Sequence, residues 1–144
     1  MSGTSEKTFA EFFAGIGLMR IGLENAGWLI AFANDLDQDK WRMYRDHFGD
    51  TGEFSVEDIH KINPARVPSV ALATASFPCN DLSLAGARQG LAGEQSSAFW
   101  GFIDILKAMK RDRRLPPQVL LENVTDFLTS HGDQHFENAR VALN

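Results

Sequence analysis

Cysteine and long apolar runs are what this chain lacks most clearly. Its 144 residues include one cysteine, and "MSGTSEKT" at the start has no apolar signal core. No apolar run approaches the roughly 20 residues of a membrane-spanning helix. A single cysteine excludes an internal disulfide and a metal site built from several cysteines. We therefore expect a cytoplasmic protein with no membrane contact and no metal site.

Basic residues are also scarce, with 14 Lys and Arg against 19 Asp and Glu and a net charge of −5. This balance argues against binding nucleic acid by bulk electrostatics alone. The one basic run is "KAMKRDRR" at residues 107–114. We interpret it as the solvated end of a helix, because cations favour helix C-termini, and a phosphate patch is the alternative.

Short apolar runs alternate with helical patterns along the whole chain. The apolar runs predict strands over residues 8–15, 28–35, 69–76 and 118–124, and residues 53–59 are predicted to hold a short third strand followed by an acidic turn. Alternation of strands and helices with short connections predicts an α/β fold with a doubly wound parallel sheet. Ligands of such sheets bind at the carboxyl ends of the strands, here near the switch point between strands 1 and 4.

Three helices with apolar faces are predicted between these strands. The first is closed by Gly27, and the second begins at the acidic cap Asp37. The predicted inner faces are Met19, Gly22, Leu23 and Ala26 in the first, Trp41, Tyr44 and Phe48 in the second, and Phe99, Phe102, Ile103, Leu106 and Met109 in the third.

Two glycines follow the first predicted strand in "FAGIGLMRIG". Gly15 and Gly17 permit a tight turn and a close approach to a ligand, although Arg20 holds the place of the third dinucleotide-binding glycine. Asp35 follows Gly15 by twenty positions, the spacing of an acid that binds a ribose. The pattern favours an adenosine-containing ligand without a pyrophosphate. The alternative is that Asp35 and Asp37 merely cap the next helix.

The remaining strands also end in polar or reactive residues. Asp58 follows strand 3, where it can bind an adenine amino group with Ile59 against the ring, or simply close a turn. Cys79 follows strand 4 as a thiolate nucleophile or as a small buried hydrophobe. Glu122 ends strand 5, where it needs a salt bridge if buried, or faces the crevice of Cys79 if functional.

Taken together, five motifs occur in a fixed order: "FAGIGL", "NDLD", "EDI", "FPCNDLS" and "LLENV". The chain resembles the DNA (cytosine-5) methyltransferases over nearly its whole length, with these stretches in the places of motifs I, II, III, IV and VI. Pro-Cys and Glu-Asn-Val at this spacing after Phe-Ala-Gly-x-Gly form a specific combination. The resemblance implies a Rossmann-like S-adenosylmethionine-dependent methyltransferase fold, incomplete here because the later strands are absent.

The resemblance implies S-adenosyl-L-methionine as the cofactor, held by the first three loops. Glu11 would lie near its amino group, Phe13 against the adenine and Asp35 on the ribose. Leu18 and Leu36 depart from the glycine and tryptophan that are common in the family. The cofactor-binding residues implied are Glu11, Phe13, Ala14, Gly15, Ile16, Gly17, Leu18, Asp35, Leu36, Asp58, Ile59 and Pro78.

The resemblance also implies the reaction, a restriction-modification type of methylation of double-stranded DNA. Cys79 would attack carbon 6 of a flipped-out cytosine while Glu122 contacts the ring nitrogen and the exocyclic amino group. Ser83 and Arg88 lie in a loop that would close over the base, and they are candidate contacts to the DNA backbone.

Nothing in the chain resembles the later motifs, the target-recognition domain or the final segment that completes the cofactor pocket. We therefore expect residues 1–144 to be the N-terminal part of a catalytic domain, either a fragment or one subunit of a split enzyme with a complementary C-terminal subunit. We expect weak cofactor binding and no autonomous methylation. A tRNA cytosine-5 methyltransferase and a non-catalytic S-adenosylmethionine-binding subunit are the alternatives.

Overall fold

A five-stranded parallel sheet with strand order β3-β2-β1-β4-β5 forms the centre of this computed structural model. The structure describes residues 6–77 and 97–123, together with 137, 140, 141 and 144. The strands are β1 (Thr8–Phe12), β2 (Leu29–Asp35), β3 (Phe54–Val56), β4 (Leu72–Ala75) and β5 (Gln118–Leu121). The predicted parallel α/β sheet is confirmed, and its strand order reverses between β1 and β4.

Three helices connect or follow the strands. They are α1 (Leu18–Asn25), α2 (Gln38–Phe48) and α3 (Ser97–Arg111), and two 3-10 turns cover Ile59–Lys61 and Pro64–Arg66. The predicted cap of α2 is confirmed, since the Asp37 side chain accepts hydrogen bonds from the backbone amides of Asp39 and Lys40. The basic run is the end of α3, as predicted, with Lys110 and Arg111 in its last turn.

The apolar core lies between the sheet and α3. All five residues of the predicted α3 stripe are at most 2% exposed. The Phe12 ring of β1 lies 5.1 Å from that of Phe102 in α3 and 5.6 Å from that of Phe32 in β2, measured between centroids. Because neighbouring side chains of a strand point to opposite faces, Glu11 points away from this core.

The opposite face is covered differently from the prediction. The predicted inner face of α1 is wrong, because Gly22 and Ala26 are exposed while Met19 and Leu23 are half-buried. Arg20 is the buried residue of α1. Apolar periodicity misses such a helix, since its inward side chain is a cation that ion-pairs beneath it.

Among the described residues, no helix combines the length and the apolar character required to cross a membrane. The sequence also predicts a further helix from about Gln134, with Phe136, Ala139, Arg140 and Leu143 on one face, and this helix lies mostly outside the described residues.

The contact between α3 and the 3-10 turn Ile59–Lys61 depends on a glycine. A Cβ atom on Gly101 would lie 2.7 Å from Ile59 Cγ2 and 3.0 Å from His60 Cε1. We expect Gly101→Ala to lower the free energy of unfolding by about 1–3 kcal/mol, because overpacking outweighs the better helix propensity of alanine. Urea unfolding measures the change.

Gly22→Ala is the matched control, because Gly22 is also helical and no described atom lies within 4 Å of its added Cβ. This variant should gain up to about 1 kcal/mol. Equal stability gains in both variants would contradict the close packing of α3.

Candidate functional site

The turn between β1 and α1 has an unusual backbone. β1 ends at Phe12, three residues before the predicted end, because Phe13 and Gly15 adopt φ angles of 56° and 57°. A left-handed conformation at a residue other than glycine costs on the order of 1–3 kcal/mol, and such strain concentrates at binding sites. The Ala14 amide donates to the Asn34 carbonyl over 2.9 Å, which ties the turn to β2.

Asp35, at the end of β2, holds this turn in place. Its Oδ2 accepts a 2.8 Å hydrogen bond from the Gly15 amide, and its Oδ1 accepts a 2.9 Å hydrogen bond from the Asp37 amide. The carboxylate is 9% exposed. Asp37 rather than Asp35 caps α2. A carboxylate has about four lone-pair sites, so Asp35 can accept further hydrogen bonds from a ligand.

Gly17 lies where α1 begins and α2 packs against it. Its φ is 90°, and a Cβ atom there would lie 2.3 Å from Phe48 Cε2 and 3.0 Å from Tyr44 Cδ2. Both the conformation and the space therefore require glycine. No described atom lies within 4 Å of a Cβ built on Gly15, so that part of the turn is open.

Glu11 in β1 is a buried carboxyl beneath this turn, with 2% exposure. Burial raises its pKa from 4.5 to about 8, against the opposing effects of a hydrogen bond from the Arg20 backbone amide and of the Arg20 charge. Its Oε2 has no hydrogen-bond partner among the described residues. A buried oxygen of this kind is suited to a cationic ligand group that donates hydrogen bonds.

Thr74 in β4 is a second buried polar residue at the switch point. It is the register partner of Glu11, and paired residues of parallel strands project from the same face. Its Oγ1 is buried and also without a partner among the described residues. Two oxygens without partners therefore lie on adjacent central strands, a position that no sequence motif indicated.

Arg20 is the centre of a polar network that the sequence analysis missed. Its Nη1 donates to Glu53 over 2.8 Å and to the Tyr44 hydroxyl over 3.0 Å, and its Nε donates to Glu24 over 2.8 Å. The guanidinium carbon also lies 4.2 Å from the Phe48 ring centroid. The i,i+4 spacing of Arg20 and Glu24 could have indicated their ion pair, whereas nothing in the sequence indicated the ion pair of Arg20 with Glu53.

In the loop after β3, Asp58 closes a turn, which is the structural alternative to a ligand-binding role. Asp58 Oδ1 accepts a 2.9 Å hydrogen bond from the His60 amide and caps the 3-10 turn. Ile59 is 6% exposed and belongs to the core. Contact of either residue with an adenine stays a prediction.

Three apolar side chains, one in the β1–α1 turn, one at the start of α1 and one after β2, remain on the surface. Ile16 is 43% exposed, Leu18 71% and Leu36 69%.

The ends of β4 and β5 are joined by hydrogen bonds. The Glu122 amide donates to the Ala75 carbonyl over 3.0 Å, and Asn123 Nδ2 donates to the Phe77 carbonyl over 3.3 Å. The Glu122 side chain is exposed, so it does not need the buried salt bridge of the structural alternative. Phe77 is two residues before Cys79. The predicted residues Pro78, Cys79, Ser83 and Arg88 lie outside the described residues.

Comparisons with known proteins agree on one family. The profile described as "C-5 cytosine-specific DNA methylase" matches residues 7–144. The "Type II methyltransferase M.HaeII" of Haemophilus aegyptius is 34% identical over 134 residues, which are 93% of this chain and 40% of that protein. The "Type II methyltransferase M.BsuFI" of Bacillus subtilis is 33% identical over 137 residues, which are 95% of this chain and 31% of that protein.

A solved structure supports the fold. The S. pombe Dnmt2 methyltransferase superposes with a TM-score of 0.69 at 23% identity, over 92% of this chain and 40% of that one. The Rossmann-like methyltransferase architecture expected from the motifs is confirmed. The chain spans less than half the length of each of these three proteins.

The raised pKa of Glu11 predicts how stability depends on pH. Because the pKa is about 8 when folded and near 4.5 when unfolded, the stabilising contribution is fully present below pH 4.5 and is lost as pH rises through 8. Relative to Glu11→Gln, the unmodified chain should lose a few kcal/mol between pH 5 and 8.5, at about 1.4 kcal/mol per pKa unit.

Chemical unfolding at several pH values tests this. Glu6→Gln is the control, since Glu6 is exposed and the substitution should leave the pH profile unchanged. Parallel profiles for Glu11→Gln and the unmodified chain would contradict the burial of the Glu11 carboxyl.

Proposed function

This chain belongs to the C-5 cytosine-specific DNA methylase family, and we propose that it carries the cofactor site and the nucleophile of an enzyme that methylates cytosine in DNA. One observation carries the proposal. The β1–α1 turn, which Asp35 holds by a hydrogen bond, and the hydrogen-bonded ends of β4 and β5 lie at the same carboxyl edge, on the two sides of the switch point. Parallel α/β sheets bind their ligands in this crevice.

We propose S-adenosyl-L-methionine as the cofactor. The Glu11 oxygen without a partner fits the ligand's ammonium group, and the free lone pairs of Asp35 fit ribose hydroxyls. The open backbone at Gly15 fits the methionine part. Phe13, Ala14, Ile16, Gly17, Leu18, Leu36, Asp58, Ile59 and Pro78 would complete the pocket. When bound, the cofactor supplies a methyl group on a sulfonium.

Cys79 is the proposed nucleophile. Carbon 5 of cytosine is a poor nucleophile, and addition of the thiolate at carbon 6 makes it enamine-like. As the sulfur–carbon 6 bond forms, the electron pair of the carbon 5–carbon 6 double bond is displaced into the ring and makes carbon 5 nucleophilic. Carbon 5 would then take the methyl group, and the sulfonium sulfur would keep the electron pair of the broken bond and leave as a neutral thioether. A base such as water would take the carbon 5 proton, and the electron pair of that bond would restore the carbon 5–carbon 6 double bond and expel the thiolate. Glu122 would hold the ring nitrogen and the exocyclic amino group during these steps.

The substrate follows from this chemistry. Carbon 6 is inaccessible inside a duplex, so the base must be flipped out, with Ser83 and Arg88 as proposed contacts to the DNA backbone. The relatives named as type II methyltransferases support double-stranded DNA as the substrate and a restriction-modification role. Such an enzyme would work in the cytoplasm, at the nucleoid.

We also propose that the DNA-reading surface lies outside these 144 residues, in the same polypeptide or in a complementary subunit. The chain spans 40% of the M.HaeII methyltransferase, and its net charge of −5 is unfavourable for binding phosphates without such a surface. Activity tests therefore use the natural polypeptide or complex that contains the chain.

Covalent trapping tests the function. We expect a pool of duplexes with 5-fluorocytosine at varied sequence contexts to form an adduct that survives denaturing electrophoresis, because fluorine blocks loss of the carbon 5 substituent. Cys79→Ser should abolish the adduct. Glu122→Gln should slow its formation by about 10²–10⁴-fold, the usual range for acid–base groups, while Glu6→Gln should not change it.

Other outcomes separate the alternatives. An adduct with 5-fluorocytosine tRNA instead of the duplex would identify an RNA enzyme on the same motifs. Cofactor binding without an adduct on either nucleic acid would contradict the catalytic proposal and favour a non-catalytic S-adenosylmethionine-binding subunit.

A further inference from the structure

We propose that Arg20 is a positioning residue of the cofactor site, which fixes the β1–α1 turn through α2 and supplies positive charge in the surroundings of Glu11. The proposal rests on the proposed function, since it concerns the same cofactor. Arg20 is not among the site residues that the sequence motifs predict.

Arg20 joins α1 to α2 and to the residue that precedes β3. The side chain starts in α1, three residues after Gly17, and its polar contacts reach Tyr44 in α2 and Glu53 immediately before β3. The Arg20 and Glu53 side chains are 9% and 10% exposed, so this ion pair is shielded from solvent. A planar guanidinium with several donors can make these contacts and stack on Phe48 at once, which an ammonium cannot.

The contacts of Arg20 reach the β1–α1 turn through two aromatic residues of α2. The Phe48 ring that Arg20 stacks on is also the atom group closest to the Cβ position of Gly17. Tyr44, which accepts a hydrogen bond from Arg20, is the next group there. A movement of α2 relative to α1 would therefore change the space around Gly17, so the Arg20 contacts restrain the turn.

Arg20 also contributes to the charge around Glu11. The groups that act on its carboxyl are Arg20 and Glu24 from α1, Asp35 from β2 and Tyr44 from α2. Thr74 of β4, its uncharged register partner, lies on the other side. Arg20 is the cation in this set, and it also pairs with Glu24. Without it, two carboxylates would face Glu11 and oppose the ionised form that binds an ammonium group.

Two substitutions separate the two roles of Arg20 in the natural polypeptide. Arg20→Met removes charge and hydrogen bonds, and Arg20→Lys keeps the charge but loses the fork of donors. Arg42→Met is the matched control, since Arg42 is an exposed α2 arginine paired with Asp39. Calorimetry gives the Kd for S-adenosylhomocysteine between pH 6 and 9.5, and carboxyl ¹³C NMR gives the titration midpoint of Glu11 in the free protein.

We expect Arg20→Met to weaken binding about tenfold at pH 7.5 and to move the Glu11 midpoint to higher pH. The loss of affinity in Arg20→Met should become smaller at pH values above the Glu11 titration midpoint of this variant. Arg20→Lys should keep the midpoint and weaken binding about threefold. Arg42→Met should match the unmodified protein in both measurements.

Each contrary result has one meaning. An Arg20→Met protein with an unchanged Kd and an unchanged Glu11 midpoint overturns the proposal and leaves the proposed function intact. If Arg20→Met does not fold, an unchanged Kd in Arg20→Lys overturns the positioning role. If the unmodified protein binds no S-adenosylhomocysteine, the cofactor assignment is wrong, and an unchanged Glu11 midpoint in Arg20→Met then overturns the electrostatic role.

Discussion

The parallel pairing of β1 with β2 on one side and β4 on the other is the constraint on which the rest of the structure depends. It places Glu11 between Ala33 and Thr74 and makes the chain leave all three strands at one edge. The strand order reverses here, and α1 and α3, the helices that follow β1 and β4 in the chain, lie on opposite faces of the sheet. Parallel sheets of this kind have a crevice at the switch point. Residues far apart in sequence meet at this crevice for that reason alone.

The two faces of the sheet differ in polarity. The face beneath α3 is apolar, with aromatic rings packed from β1, β2 and α3. The face beneath α1 and α2 contains Glu11, Thr74 and Arg20, which are all buried. Buried polar groups cost stability unless they are paired, and two oxygens here have no partner among the described residues. Such a local conflict with packing rules is expected where a fold prepares a binding site.

The sequence predicted the elements whose cause is local. Apolar runs located the five strands, 3.6-residue periodicity gave the α3 stripe, and an acidic cap gave the start of α2. Twenty-residue spacing placed Asp35 at the turn, although its two backbone partners follow only from the three-dimensional path of the chain. The sequence did not predict the role of Arg20, because an amphipathic pattern assumes an apolar inner face. It did not predict the role of Glu53, because Glu53 is 33 residues from Arg20 in the sequence. The sequence did not predict that β1 ends at Phe12, because phenylalanine does not favour the positive φ that Phe13 adopts.

The two halves of the crevice are linked through α3. The helix follows the segment that contains Cys79, and it packs at Gly101 on the 3-10 turn that Asp58 caps. On the other side, Asn123 Nδ2 donates a hydrogen bond to the Phe77 carbonyl. Phe77, two residues before Cys79, is therefore attached to the end of β5. Cores transmit small displacements because they are close-packed. Because α3 is close-packed at Gly101, a displacement of this helix would reach the turn that Asp58 caps, on the proposed adenine side of the pocket.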